Sequence, residues 1–279
     1  MKIALIGSGS ALGKNIIDIS KNNPQLEILG FQRSKRKDTA NTKFYPILRG
    51  VPKNPEVLND IDAVVYLIGT NQGSDKEIEQ INVEFLKNYL KVHPKGCPLI
   101  YLSSVSVTTQ ESTYAHSKKV CENKIREQEN PYMILRPSLL YGDYDRGNLY
   151  SLQNKLKWLP IIPSPPVEHQ IQPVHMKDLS EFIILLVQNG NYENKEIVVS
   201  NPNPISSYEV IKKICENFST PRIVIPMPLK MIRILIKLVT FIFTNFDLKS
   251  QLQNMSSHEP FDSTEALKLG YKPRKFKGL

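Results

Sequence analysis

Lys2-Ile3-Ala4-Leu5-Ile6-Gly7-Ser8-Gly9-Ser10-Ala11-Leu12-Gly13, with apolar residues continuing at Ile16, Ile17 and Ile19, is the stretch that decides the fold. A short continuous apolar run ends at a glycine turn, and the spacing then becomes helical, so the segment reads as strand, turn and helix. Working outward, residues 26–31 form a second apolar run that stops at polar Gln32 and Arg33. Residues 63–68 form a third, after an acidic turn at Asp60 and Asp62. Runs with no polar alternation are expected of parallel strands buried on both faces. Residues 75–92 carry Ile78, Ile81, Val83, Phe85, Leu86 and Leu90 at helical spacing, and residues 98–102 supply a fourth strand. Residues 114–128 and 132–136 repeat the helix and strand. Strict alternation over the first 140 or so residues predicts an α/β fold, a Rossmann-like doubly wound parallel sheet.

Beyond Arg136 the rhythm breaks at Pro160, Pro163, Pro165, Pro166 and Pro173, which favour extended loop over helix. Residues 176–188 and 208–218 read as helices, 196–200 as a strand, and 229–243 as an apolar helix bearing Lys230, Arg233 and Lys237 on one face. The expected organisation is a nucleotide-binding domain over 1–138 with returning segments at about 170–200. A smaller, mostly helical C-terminal substrate module would take 139–169 and 201–279. The basic tail, 272–279, is expected at the surface.

The 279 residues are 41% hydrophobic and 23% charged, which excludes disordered, collagenous and coiled-coil classes. Cys97, Cys121 and Cys215 are too few for a disulfide scaffold, and no CxxC pair suggests zinc, so no metal site and a reducing cytoplasm are expected. The start shows no basic leader or cleavage site, and no apolar stretch is long enough to span a bilayer. The net charge of +9 suits nucleic acid, anionic lipid or a phosphorylated substrate. Dispersed cations and a single tryptophan argue against nucleic acid. The basic apolar stretch 229–243 reads as a helix packed over the substrate pocket or against a partner subunit with its basic stripe in solvent, and alternatively suits peripheral contact with an anionic membrane.

In a βα turn, glycines let the backbone approach a pyrophosphate that the helix N-terminus then binds, so Gly7, Ser8, Gly9, Ser10, Ala11, Leu12 and Gly13 are the first candidates for a dinucleotide. The end of the second strand faces the adenosine ribose in that arrangement. Gln32, Arg33 and Ser34 stand there instead of an acidic residue, so an Arg able to accommodate a 2′-phosphate favours NADP over NAD. Tyr114 and Lys118 lie four apart at the start of a helix and share a face. A neighbouring ammonium favours the phenolate and brings a tyrosine toward useful acid–base range, while Ser104 at the preceding strand end can hold the same substrate oxygen. That set suits hydride transfer at a carbonyl or alcohol.

GSGSALG at 7–13, DAVVYLIG at 62–69, Asn82 in INVEF, YLSSVSV at 101–107, YAHSK at 114–118, RPSLLYG at 136–142, QPVHMKDL at 172–179 and FDSTEALKLGYKP at 261–273 occur in that order. With them the chain resembles the extended short-chain dehydrogenase/reductase superfamily, the NAD(P)-dependent nucleotide-sugar epimerase, dehydratase and reductase group. The resemblance implies Ser104, Tyr114 and Lys118 as catalytic residues. It places Leu67, Ile68, Gly69, Asn82, Pro137 and Ser138, together with Tyr114 and Lys118, at the cofactor. Ser104 falls at a nucleotide-diphosphate sugar, Arg146 and Asn148 read either as binding its diphosphate or uracil or as a polar turn in which Asp143 and Asp145 neutralise Arg146, and 4-epimerisation or 4-keto reduction is the implied reaction. The resemblance also implies a homodimer. Two departures stand out: Ser10 replaces the middle glycine of the turn, and the loop between Ser104 and Tyr114 is short. The short loop and basic apolar helix also fit a non-catalytic, NADP-binding accessory or assembly subunit of a membrane-associated complex. His175, beside Val174, reads as a packed residue rather than an acid or base.

Overall fold

The structure is a computed structural model that describes residues 1–34, 36–109, 111–144, 147–164, 170–228, 231 and 260–278. The chain begins with β1 (Lys2–Ile6), α1 (Ala11–Ser20), β2 (Glu27–Gln32), β3 (Thr42–Leu48), β4 (Val51–Pro52) and β5 (Ala63–Tyr66). There follow α2 (Asp75–Glu79), a π-helical turn (Gln80–Glu84), α3 (Phe85–Leu90), β6 (Leu99–Leu102), α4 (Ser106–Thr109), α5 (Thr113–Arg126) and β7 (Tyr132–Pro137). Next come β8 (Leu140–Tyr141), α6 (Asn148–Leu156), β9 (Ile161–Ser164), β10 (Gln170–Ile171), β11 (Val174–His175) and α7 (Met176–Asn189). The described elements end with β12 (Lys195–Val199), β13 (Ile205–Ser206), α8 (Ser207–Glu216), β14 (Ile223–Pro226) and α9 (Thr264–Lys268).

Two compact units result. The first comprises Met1–Ser138, Met176–Val199 and Thr264–Lys272. Its sheet runs β12-β7-β6-β5-β1-β2-β3-β4, parallel except for the antiparallel β3–β4 edge. Central β1 is buried from Ile3 to Ile6, as its unbroken apolar sequence requires. A large cluster that includes Phe31, Tyr66, Leu86, Tyr89, Tyr101, Cys121 and Ile134 fills one part of its core. Helix α1, with Leu12, Ile16 and Ile17 buried, packs against α7, whose Leu179, Phe182 and Ile183 are buried as well. Because the chain leaves β1 toward β2 on one side and returns through β5 and β6 on the other, the strand order reverses beside β1. In such sheets the crevice outside the carboxyl ends at that reversal is where ligands bind.

Three elements differ from the sequence expectation. Strand β3 was not foreseen, because Lys43 and Pro46 interrupt its apolar pattern; it lies near the sheet edge, where proline is tolerated. The single helix expected over 75–92 is split by the π-helical turn. The returning part of the first unit starts at Met176 and gains a further piece, Thr264–Lys272, whose α9 packs on β12.

The second unit comprises Leu139–His175, Ser200–Ser263 and Pro273–Leu279. Among its described residues, α6 and α8 share the unit with three two-stranded ribbons, β8–β11, β9–β14 and β10–β13. Its core joins Leu149, Leu152, Ile162, Ile171, Val210 and Ile214. The tail is not wholly superficial: Phe276 is buried edge-on against Tyr141, their ring centroids 4.9 Å apart. His175 packs as the sequence reading has it, edge-on to Tyr141 at 4.9 Å and against Gly142. Residues 229–243, apart from Met231, lie outside the described residues.

Candidate active site

In the first unit the carboxyl ends of β1, β5, β6 and β7 bring most of the candidate residues together. The β1 turn is fixed by main-chain geometry. The amides of Gly7 and Ser8 donate to the Phe31 carbonyl at 2.9 and 3.1 Å, tying the turn to β2. Gly7 has φ +94°, in the left-handed region that favours glycine. A Cβ at Gly13 would fall 2.8 Å from Gly7 O and from Ser8 Cα, so a side chain there would separate α1 from the turn. Ser10 caps α1, its hydroxyl accepting from the Gly13 amide at 3.0 Å. Ser10, where the sequence expectation had a glycine, therefore keeps the helix start intact.

Gln32 is buried. Its Nε2 donates to Ser34 O at 2.8 Å and its Oε1 accepts from Ser8 Oγ at 3.3 Å, which couples the strand end to the glycine turn. Arg33 and Ser34 are exposed. At the next strand, the Leu67 amide donates to Ile6 O at 2.8 Å. A Cβ at Gly7 would come 3.1 Å from the Ile68 amide nitrogen, so the β1 and β5 loops are in contact.

Asn82 is buried in the π-helical turn, a distortion often found at functional sites. Its Oδ1 accepts from the Thr70 amide at 2.7 Å, and its Nδ2 donates to Thr70 O and Ser117 Oγ. The residue thus acts on Gly69 and Thr70 from beneath, holding the β5 loop to α5.

Ser104, Tyr114 and Lys118 converge at the end of β6. Ser104 Oγ accepts from the Ser106 amide and hydroxyl at 3.2 and 3.0 Å, and hydrogen-bonds the Tyr114 phenol. The start of α5 is set by Ser112, whose hydroxyl accepts from the Ala115 amide. Burial pushes the Tyr114 phenol up to about 12, with the Ser104 hydrogen bond acting in the opposite sense. Burial also brings the Lys118 ammonium down to about 8, opposed by Cys121 and Glu122. Lys118 Nζ donates to Leu102 O at 2.7 Å and to Tyr101 Oη at 3.2 Å, and lies 4.7 Å from the Tyr101 ring centroid. The expectation that this cation lowers the Tyr114 phenol is therefore not met here: the ammonium is held by the Leu102 carbonyl, and burial dominates the phenol. A Cβ at Gly69 would sit 2.9 Å from Lys118 Nζ, so only glycine allows the loop this close to the ammonium.

Sequence reasoning missed the groups behind this trio. Tyr101 and Ser106 both lie in the YLSSVSV segment, yet nothing in the spacing marked their hydroxyls as partners of Lys118 and Ser104. It also missed Glu122, one helical turn after Lys118. Its buried carboxylate accepts from Ser103 Oγ at 2.6 Å, Arg136 Nε at 2.9 Å and Arg126 Nη2 at 3.1 Å. Burial raises that carboxyl, but the Arg136 and Ser103 hydrogen bonds and the two cations outweigh it and hold it below its usual range. Pro137 is buried, and its carbonyl accepts from the Val105 amide at 3.1 Å; the Ser138 amide donates to Val199 O. Asn148 belongs to the second unit, where it is the half-buried first residue of α6. Arg146 lies outside the described residues. Among those residues, no group of His, Cys, Asp and Glu is arranged to hold a metal.

No family model matches the chain. Over 120 residues it is 27% identical to the mitochondrial NADH dehydrogenase [ubiquinone] 1 alpha subcomplex subunit 9 of Dictyostelium discoideum, covering 42% of this chain and 33% of that protein. It is 21% identical over 183 residues to UDP-glucose 4-epimerase of Vibrio cholerae, covering 64% of this chain and 53% of the epimerase. The chain thus spans a third to about half of the length of these curated relatives. Among solved structures, UDP-glucuronic acid 4-epimerase from Bacillus cereus in complex with NAD superposes with a TM-score of 0.70 at 15% identity, covering 82% of this chain and 86% of that one. The terminal R domain of the myxalamid PKS-NRPS pathway gives 0.77 at 17% identity, over 99% and 87%. The likeness is one of fold, which the chain shares with these solved structures.

Proposed function

We propose that the protein is an NADP-dependent oxidoreductase of the epimerase/dehydratase type, acting on a nucleotide-diphosphate sugar as a 4-epimerase or 4-keto reductase. The observation that carries this reading is the convergence of Ser104, Tyr114 and Lys118 beside Gly69, within the unit that carries the glycine turn.

The dinucleotide fits the turn by the chemistry of its groups. Gly7 and Gly13 admit close backbone approach, and the first amides of α1 have no partner within the helix. Residues 7–13, 67–69, Asn82, Pro137 and Ser138 would hold it, with exposed Arg33 and neutral Gln32 selecting a 2′-phosphate. A bound nicotinamide supplies the hydride chemistry.

The chain's own residues handle the proton. Tyr114 exchanges its phenolic proton with the sugar C4 oxygen, and Ser104, already bonded to that phenol, holds the same oxygen. With its phenol near 12, Tyr114 is a weak base in this arrangement, and Lys118, held by the Leu102 carbonyl, keeps its ammonium beside Gly69.

Calorimetric titration with NADPH, NADP, NADH and NAD is the first test. Binding at least about tenfold tighter for the phosphorylated forms is expected, and Arg33→Ala should erase that preference. With UDP-hexoses as substrates, Tyr114→Phe should lower turnover by about 100-fold or more while sparing dinucleotide affinity. Failure to bind any of the four dinucleotides refutes the proposal. The match to the accessory NADH dehydrogenase subunit favours a second reading, a non-catalytic dinucleotide-binding subunit, for which tight binding with no turnover is the signature.

A further inference from the structure

The two strands of the β9–β14 ribbon in the second unit pair in parallel, with Ile223 beside Ile161 and Val224 beside Ile162. Side chains alternate across a ribbon, so each strand presents one face inward and one outward. Ile162 and Val224 face the core that contains Ile211 and Ile214 of α8. Among the described residues the other face is open: Ile161 is 53% exposed, Ile223 61% and Ile225 38%, and Trp158 just before β9 is 79% exposed. Arg222 Nη2 donates to Lys157 O at 2.6 Å and the Ile223 amide to Pro160 O at 3.1 Å, so Trp158 is held beside the base of the same ribbon.

The stretches that carry this face are basic: residues 147–164 and 217–231 contain no Asp or Glu, and Lys157 and Arg222 meet at the base of the ribbon. Lys157 Nζ stands 5.9 Å from the Trp158 ring centroid. Apolar side chains, an exposed tryptophan and adjoining cations without acids are the composition that partitions into the interface of an anionic bilayer. Among the described residues no helix is long and apolar enough to cross a membrane.

We infer that the outer face of the β9–β14 ribbon, with Trp158 at its base, docks on an anionic lipid surface. This is independent of the proposed chemistry and of residues 229–243. Trp158 is the only tryptophan in the chain, so its fluorescence reports on this face alone. Full-length protein is mixed with vesicles of phosphatidylcholine containing phosphatidylglycerol, and separately with phosphatidylcholine alone. Sedimentation with the anionic vesicles, a blue shift of Trp158 emission and quenching by brominated acyl chains are expected. Ile161→Ser with Ile223→Ser should weaken partitioning by about tenfold or more, and Lys157→Gln should reduce the preference for anionic lipid. Unchanged far-ultraviolet circular dichroism checks that these exposed substitutions leave the fold in place. Three results overturn the inference. One is no association; another is vesicle binding with Trp158 emission unmoved, which assigns the contact to a different surface. The third is an emission shift that follows protein concentration without vesicles, which assigns the face to a second copy of the chain.

Discussion

Lys118 shows how one buried side chain links the candidate chemistry to stability. Its ammonium is desolvated and accepted by the Leu102 carbonyl and the Tyr101 hydroxyl, and the balance leaves it near 8, below the ordinary lysine value. A lysine whose proton is held less tightly in the folded than in the unfolded chain costs stability in full below pH 8. The cost is relieved as pH rises toward about 10.4, because the unfolded chain then binds more protons than the native one. Lys118→Met removes this term. The unfolding free energy of the wild type relative to the variant should therefore rise between pH 8 and 10, by roughly 1 to 3 kcal/mol. Parallel urea titrations across that range measure it; a difference that stays flat would show that the ammonium is not desolvated as described. The same substitution should abolish turnover at every pH, which separates the catalytic loss from the stability trend. Tyr114 and Lys118 were legible from their spacing on α5. Tyr101 was not, because one more tyrosine in an apolar strand carries no pattern that distinguishes a hydroxyl bonded to lysine from a ring that only fills space.

At the scale of elements, α5 is the piece on which the site depends, since it carries Tyr114 and Lys118 on one face and ends in a buried ion network. Glu122 on α5 meets Arg136 of β7, and both Arg136 and Arg126 reach Glu196 of β12. Helix and two neighbouring strands are thereby fixed in register below Ser104. Removing one partner of a buried pair leaves the other desolvated, which costs about 3 to 5 kcal/mol where nothing else compensates. Glu196 remains for Arg136, so Glu122→Leu should destabilise by roughly 3 kcal/mol in chemical unfolding, and Glu122→Gln by less. A loss under about 1 kcal/mol would mean that packing alone places α5. The alternation of buried strands with helices was readable because β1, β5 and β6 are apolar on both faces. The π-helical turn that presents Asn82 was not readable, since one inserted residue shifts the helical period too little to register against the irregular spacing of Ile78, Ile81 and Val83. Ser104 was read correctly as standing at a strand end, whereas its dependence on Ser106 follows from the α4 turn, a four-residue helix too short to show a periodicity.

For the whole molecule, the division of the chain into two units assigns different parts of the proposed reaction to different stretches of sequence. The glycine turn, the β5 loop and the Ser104 segment all fall in the first unit, whereas Asn148 at the head of α6 falls in the second. The prolines at 160–173 that break the alternation lie inside the second unit, past its start at Leu139. The return of Thr264–Lys272 to the first unit was not legible, because its buried Ala266 and Tyr271 form no periodic pattern in so short a segment. The separation can be read out by hydrogen exchange. A ligand that binds only the native state protects the amides it orders and adds to stability by mass action. NADP alone should slow exchange at residues 7–13, 67–70 and 103–106, leaving α6 unchanged. Adding a UDP-hexose should then slow exchange at 147–152 as well, because the proposed substrate is held by the second unit. If the sugar nucleotide protects nothing there, the second unit has no part in binding it; protection confined to the first unit by NADP alone, with no turnover, is the pattern expected of the accessory-subunit reading.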